Sequence, residues 1–204
     1  MAFDYTTLIA AKTTLGSIKA WANHSVLDSD GILTQAQAWI YEKLRAQEMT
    51  VEDTLVILET EYQATFPSGF LDPVYLRWHG DDRDVAYVHE NLLHRYIDDQ
   101  GVVEEGHPDR FAIFGNKLQF NYQADEDLTA AFVYYAVPTA LSLANPTNFL
   151  TIRWPTLLKT VCLAFAYDDR KRSSDAIEKF KEAMLAIDDV NGRYDKARNG
   201  STMR

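Results

Sequence analysis

The segment RFAIFGNKLQFNYQ, residues 110–123, decides the fold of the central part of this chain. It contains two apolar and aromatic runs that meet at Gly115 and Asn116, and a Gly-Asn pair between two such runs is typical of a two-residue hairpin turn. Polar residues in the second run alternate with apolar ones, namely Leu118, Phe120 and Tyr122. This alternation indicates a strand with one exposed face, so the segment predicts an antiparallel hairpin.

The sequence on both sides of this hairpin has the same character. Between Thr54 and Tyr135, β-branched and aromatic residues are frequent, and Pro or Gly separates the runs. The further predicted strands are TLVILET (54–60), PVYLRWHG (73–80) and TAAFVYYAV (129–137). A short helix is expected near residues 89–95. Together these patterns predict a β-rich, mainly antiparallel domain over residues 49–143.

The N-terminal part of the chain has helical periodicity instead. Apolar residues at spacings of three and four predict one helix over residues 5–23, with Asp4 as its N-cap, and a second over residues 32–48. Two more helices are predicted near the C-terminus. One begins at Pro155, which suits the first turn of a helix because its missing N–H has no partner there. The other follows DDRKRSS (168–174).

The last predicted helix starts at a capping box formed by Asp175 and Glu178. We expect the polar residues 199–204 beyond it to form a flexible tail. Short amphipathic helices cannot bury their apolar faces alone. The fold class is therefore α+β: a discontinuous antiparallel bundle of two N-terminal and two C-terminal helices, residues 1–48 and 144–204, with the β-rich domain inserted.

Composition limits the functions that the chain can have. Of its 204 residues, 30 are Asp or Glu and 20 are Lys or Arg, which gives a formal net charge of -10. Affinity for duplex DNA comes mostly from cations that neutralise phosphates, so this balance argues against tight DNA binding. The N-terminus lacks the pattern of a signal peptide, and no apolar run is long enough to span a bilayer. We expect a soluble chain of cytosolic type.

The chain contains one cysteine, Cys162, within an apolar run. A single cysteine excludes an internal disulfide and any zinc site built from several cysteines. Unpaired cysteines are among the most frequently buried residues, so we expect a buried free thiol.

The segment YVHENLLHRY, residues 87–96, is similar to the helical zinc motif of metalloproteases. That motif needs two histidines four residues apart, so that both rings reach one metal. His89 and His94 are five residues apart, a rotation of about 140° on a helix, and we reject the zinc site. We expect Glu90 and His94 to pair on a short surface helix. The predicted packing residues of this segment are Tyr87, Leu92 and Leu93.

Other histidines and acids of the central region leave one enzymatic alternative. RWHGDDRDV (77–85) contains His79, Asp81, Asp82 and Asp84, and GHPDR (106–110) contains His107 and Asp109. Such residues serve metal-dependent hydrolases, but polar residues around a Gly are also typical of an exposed turn. We favour the turn and assign no catalytic, metal-binding or cofactor-binding residue. A metal-dependent hydrolase that uses these His and Asp residues is the alternative hypothesis.

An ordered series of short motifs covers most of the chain. They are Pro67 to Phe70, Gly80, Gly106 and Pro108, Ala112 and Ile113, Tyr134 and Tyr135, Leu141 and Ser142, Asn148 and Leu150, Trp154 and Pro155, and Asp168 and Asp169. In this order and spacing they resemble the head-to-tail adaptor, or head-completion, proteins of tailed bacteriophages. One departure is Gly69, where that family tends to have Asp.

The resemblance implies a structural virion protein and not an enzyme. Such adaptors form a ring, commonly of twelve subunits, below the portal protein, where they extend the DNA channel and dock a tail, nozzle or tail-terminator protein. The implied partners are therefore the portal, the next tail component and further copies of this chain. DNA passes through without specific binding, and neither a cofactor nor a membrane is involved. The implied location is the virion neck, after synthesis in the cytoplasm of the bacterial host.

In such adaptors the C-terminal segment often reaches the portal. Its basic residues stand out on an otherwise acidic chain and suit charge-assisted contacts. The predicted portal-binding residues are Arg193, Tyr194, Lys196, Arg198, Gly200, Ser201 and Arg204.

Overall fold

The computed structural model describes residues 3–80, 84–97 and 99–200, and for residues 195–200 it describes the backbone alone. Within these residues the chain is a mixture of α-helices and β-strands. It divides into two compact units, one made of Met49–Val137 and the other of the segments before and after it. The central unit ends at Val137, whereas the sequence predicts that the inserted domain ends at residue 143.

The central unit is a seven-stranded sheet. Its strands are β1 (Thr50–Ile57), β2 (Gln63–Thr65), β3 (Phe70–Trp78), β4 (Asp84–Tyr87), β5 (Arg110–Phe114), β6 (Lys117–Phe120) and β7 (Leu128–Ala136). Their order across the sheet is β1-β7-β3-β4-β5-β6-β2. Every neighbouring pair is antiparallel except β4 and β5. The predicted mainly antiparallel character is thus confirmed.

The predicted hairpin is formed by β5 and β6. Phe114 lies opposite Lys117 across the turn, and Gly115 has a φ of 59°, as the first central residue of a type II′ turn requires. Sequence reasoning missed β2 and β4, which have three and four residues. Strands this short provide too few alternating positions for a recognisable pattern.

A single apolar core occupies the inner side of the sheet. Its largest fully buried side chains are Ile57, Leu76, Phe111, Leu118, Phe120 and Phe132. Trp78 joins this core and donates its indole N–H to the carbonyl of Pro108 at 2.7 Å. Side chains from every strand of the sheet, β1 to β7, belong to this one cluster.

The other unit is helical. Its helices are α1 (Tyr5–Ile9), α2 (Ile18–Trp21), α3 (Ser29–Lys43), α4 (Phe149–Arg153), α5 (Pro155–Asp169) and α6 (Ser173–Gly200). α5 packs against α2, α3 and α6, so it is the central helix of this unit. Leu158, Val161 and Cys162 on α5 are fully buried. The predicted start of α5 at Pro155 is confirmed.

The single helix predicted over residues 5–23 is wrong. Asp4 caps α1 as expected, accepting the N–H of Thr7 at 2.7 Å, but α1 ends at Ile9 and α2 starts only after Ser17. Gly16 between them has a φ of 96°, which an α-helix cannot contain. The apolar spacing continues across this turn because both short helices bury residues in the same unit.

The other helix boundaries also need correction. The second helix begins at Ser29, where Asp28 accepts the N–H of Gly31, and it ends at Lys43 instead of residue 48. The last helix starts at Ser173, two residues before the predicted capping box. Residues 199 and 200 continue α6, so this part of the predicted flexible tail is helical, and residues 201–204 lie outside the described residues.

Candidate functional site

In the segment YVHENLLHRY, Tyr87 ends strand β4, and the helical part is a single turn of 3₁₀ helix, Glu90–Leu92. The ring Nδ1 of His89 accepts the N–H of Asn91 at 3.4 Å and thereby caps this turn. The predicted pairing of Glu90 with His94 on a helix is wrong, because no α-helix brings them to one face. His89 therefore has a local structural role.

The apolar residues of this segment lie mostly at the surface. Tyr87 contacts the ring of Phe111, with centroids 5.4 Å apart, yet it is 54% exposed. Leu92 is 60% exposed, and Leu93 is half-buried. Tyr87 and Leu93 thus pack only in part, and Leu92 is mostly exposed, because a one-turn helix presents most of its side chains to solvent.

The histidines and acids considered for a hydrolase have separate partners. Asp84 pairs with Arg77 at 2.7 Å, and the carboxylate of Asp109 accepts an N–H from the Asn121 amide at 2.7 Å. His107 packs edge-on against Trp78, and His79 is exposed. Asp81 and Asp82 lie outside the described residues. Across residues 3–80, 84–97 and 99–194, no three His, Cys, Asp or Glu side chains are grouped so that they could hold a metal ion.

Cys162 is a buried free thiol, as the sequence predicted. Burial raises the pKa of this thiol well above its ordinary value, since the thiolate would lose its hydration. The group that attacks electrophiles is the thiolate, so Cys162 is inert at neutral pH. Its place in the middle of α5 is a packing position.

The predicted portal-binding residues belong to the last part of α6, as far as they are described. Arg193 is exposed and forms an ion pair with Asp189 one turn earlier, while Tyr194 is half-buried. Lys196, Arg198 and Gly200 continue the helix backbone, and Ser201 and Arg204 lie outside the described residues. The Arg193 charge is thus partly balanced within its own helix, a pairing that the spacing i, i+4 makes available.

A side chain of α6 caps the C-terminal end of α3. Asn191 accepts the backbone N–H of Arg45 at 2.8 Å and donates to the carbonyl of Lys43 at 2.9 Å. These bonds satisfy groups at the end of α3 that would otherwise lack helical partners. Asn191 therefore ties this turn of α6 to the end of α3.

One face of α6 has an apolar stripe that the described residues leave uncovered. The side chains of Ile177, Lys181, Met184 and Leu185, together with Phe180, line a shallow surface depression of about 460 Å³. Ile177 is 53% exposed and Leu185 is 71% exposed. Sequence reasoning did not separate a buried from an exposed apolar line on this helix. The signal that it missed is a second apolar line, displaced from the buried line of Ala176, Ala183, Ile187 and Val190.

None of the helices in the described residues combines the length and apolar character that a membrane crossing requires.

Comparison with known proteins gives the chain its family. The family model for the SU10 adaptor protein matches residues 4–204, which is nearly the whole chain. No curated protein matches it. The match agrees with the resemblance to bacteriophage head-to-tail adaptors that the ordered motifs indicated. This chain therefore belongs to the SU10 adaptor protein family.

Proposed function

We propose that this chain is the head-to-tail adaptor of a tailed bacteriophage: a ring below the portal that extends the DNA channel and docks the tail. The observation that supports this function is the family match over residues 4–204. In this proposal the helices before and after the sheet form one discontinuous antiparallel bundle. The partners are the portal, a tail, nozzle or tail-terminator protein, and further copies of the chain, about twelve in a ring.

The acidic composition suits a channel wall. The formal net charge is -10, and a wall past which DNA moves should make few phosphate contacts, because each contact adds to affinity. Packaging and ejection require the duplex to slide, which tight binding would prevent. The location that follows is the virion neck.

The first experiment asks whether the chain joins a portal. Purified chain is mixed with the purified portal protein of the same phage, sedimented through a gradient and viewed by electron microscopy. The proposal expects a complex larger than the portal alone, with a ring on one side of it. Failure to co-sediment over a range of salt concentrations would refute the adaptor function.

The second experiment locates the portal contact in the C-terminal segment. We propose Arg193, Tyr194, Lys196, Arg198, Gly200, Ser201 and Arg204 as that contact. Deletion of residues 199–204, or replacement of Arg193, Lys196 and Arg198 by Gln, should weaken co-sedimentation. The matched control replaces three exposed cations elsewhere, Lys12, Arg95 and Arg110, by Gln. Equal binding by the two triple variants would show that the C-terminal cations do not form the contact.

A further inference from the structure

The strand β1 lies at one end of the sheet and has a free edge. Within the described residues β1 is paired with β7 alone. His79 directly follows β3, and its N–H bonds to the carbonyl of Thr129 in β7. The backbone groups of successive strand residues point to opposite sides, so those of odd-numbered β7 residues face β3 and those of even-numbered ones face β1. Leu55 lies opposite Ala130, an even-numbered residue of β7. The backbone groups of the odd-numbered β1 residues are therefore the ones that bond to β7.

The even-numbered residues of β1 consequently present their backbone to the free edge. These are Thr50, Glu52, Thr54 and Val56. The N–H of Thr54 agrees with this assignment, because it bonds to the carboxylate of its neighbour Asp53 at 2.8 Å and not to β7. Among the described residues, no group bonds to the remaining edge groups of β1, and such a row is a template for a further strand.

Several features that normally protect a sheet edge are missing from β1. Edges are commonly blunted by short strands, Pro, bulges or charged side chains, Lys above all. The opposite edge strand, β2, has three residues, whereas β1 has eight and pairs with β7 in an unbroken register. The sequence TVEDTLVI contains neither Pro nor Lys, and its β-branched residues favour the extended conformation. Only Leu55 and Ile57 of this strand are buried.

The charges on β1 indicate what kind of strand fits. Glu52 and Asp53 are adjacent, exposed and on opposite faces of the sheet, because successive side chains alternate. Two copies of β1 paired with each other would bring these acids close together, and like charges in cross-strand contact are destabilising. A strand with two adjacent cations places one opposite each carboxylate.

The edge continues into a surface groove between β1 and β2. This groove has a volume of about 480 Å³, and its lining includes Val56, Thr60, Tyr62 and Gln63. Lys117 also lines it, with its ammonium group bonded to the Gln63 side chain at 3.1 Å. At the Val56 end of β1 this groove is bordered by β2, which approaches β1 there.

We propose that the free edge of β1 is a strand-addition site for an extended segment of another protein, with two adjacent Lys or Arg residues opposite Glu52 and Asp53. Backbone hydrogen bonds to Thr50, Glu52 and Val56 give the affinity, and the paired charges give the register and the choice of partner. This site is independent of the proposed portal contact in α6.

The test measures residue-resolved amide hydrogen exchange of the full-length protein with a defined probe. The probe is the end-capped peptide Thr-Val-Thr-Lys-Lys-Thr-Val-Thr, and its control has Glu-Glu at the centre. The Lys peptide should slow exchange at Thr50, Glu52 and Val56, and the Glu peptide should need about a tenfold higher concentration, from two reversed charge pairs. Unchanged exchange at these amides, or equal protection by both peptides, would overturn the site.

Two double variants separate the edge from the overall charge. Glu52→Lys with Asp53→Lys should reverse the preference, so that the Glu peptide protects best. Asp125→Lys with Glu126→Lys changes the net charge equally at an exposed loop and should keep the original preference. The proposal fails if both double variants reverse the preference.

A last arm tests a different occupant, a second copy of this chain. Exchange is measured without peptide over a hundredfold range of protein concentration. The proposal expects the edge amides to exchange at one rate throughout. Protection that grows with concentration would assign the edge to self-association and contradict a foreign strand.

Discussion

Thr60 has a backbone conformation that β-branched residues rarely adopt. Its φ is 67°, and it lies in a turn closed by a hydrogen bond from the N–H of Glu61 to the carbonyl of Leu58 at 3.0 Å. The Thr60 N–H also bonds to the carbonyl of Ala124 at 2.8 Å, which holds this conformation. The turn therefore stores strain that a residue without a Cβ does not have.

We predict that Thr60→Gly raises the free energy of unfolding by about 1 kcal/mol, the usual cost of such a conformation. Urea denaturation followed by tryptophan fluorescence measures the change. The matched control is Thr65→Gly in strand β2, where the backbone is extended and the loss of a side chain should lower stability. A lower urea midpoint for Thr60→Gly would show that the turn is not strained.

Tyr41 is a buried hydroxyl in a polar network of the helical unit. It accepts an N–H from Asn148 at 2.8 Å and donates to the side chain of Gln37 at 3.3 Å. Gln37 in turn accepts the backbone N–H of Leu141 at 2.7 Å. Burial raises the pKa of Tyr41 to about 12, with the Asn148 hydrogen bond acting in the opposite direction.

This shift predicts a loss of stability at alkaline pH. Because the pKa of Tyr41 is higher in the folded state, its contribution is complete below the unfolded value of about 10 and disappears as the pH rises through about 12. Tyr41→Phe should be less stable at pH 8 and should lose less stability between about pH 10 and 12. Denaturant titrations at each pH measure this, with the exposed Tyr87→Phe as control. Parallel pH profiles for wild type and Tyr41→Phe would contradict it.

At the scale of elements, the break between α1 and α2 rests on Gly16. A Cβ at this residue would lie 3.2 Å from the methyl carbon of Thr7 and 3.3 Å from the ring of Phe3. The positive φ adds a second cost for any L-amino acid. Gly192 in α6 is the opposite case, since a Cβ there meets nothing within 4 Å.

We therefore predict opposite effects for the same substitution at these two glycines. Gly16→Ala should lower the free energy of unfolding by about 2 kcal/mol through strain and overpacking. Gly192→Ala should raise it by about 0.5–1 kcal/mol, because Ala favours the helix. Thermal denaturation of both variants measures the two changes. A neutral Gly16→Ala would mean that residues 10–17 readjust without cost.

At the scale of the whole molecule, charge predicts how the protein behaves toward DNA. With a net charge of -10, the isolated protein should bind duplex DNA weakly or not at all at moderate salt. A gel shift with duplexes of unrelated sequence at about 0.15 M salt tests this. Tight binding under these conditions would contradict the prediction and the picture of a channel wall that DNA slides past.

Local chemistry made several elements predictable from the sequence. Each of three features depends only on residues that are close in sequence. They are the turn at Gly115 and Asn116, the alternation in residues 117–123 and the helix start at Pro155. The burial of Cys162 followed from its apolar neighbours. The prediction of one helix over residues 5–23 was wrong because apolar spacing alone does not detect a glycine, here Gly16, that changes the chain direction.

The candidate surfaces were less predictable, because exposure depends on distant residues. Ile177 and Leu185 have the same chemistry as the core residues of α6, and only the position of α5 decides which line is buried. In the same way, the sequence around His89 and Glu90 predicted a short helix, yet the segment forms one turn of 3₁₀ helix. A short apolar pattern does not contain the packing partner that selects one conformation.

The sequence by itself determined the family, the mixture of helices and strands, the central hairpin and the acidic net charge, since these follow from short-range patterns, motif order and composition. Only the tertiary structure decided the neighbours across the sheet. Thr50 lies opposite Tyr135, so the first strand pairs with the last and one edge of β1 stays free. Pairing between residues so far apart depends on the burial of one shared core, which no local pattern specifies.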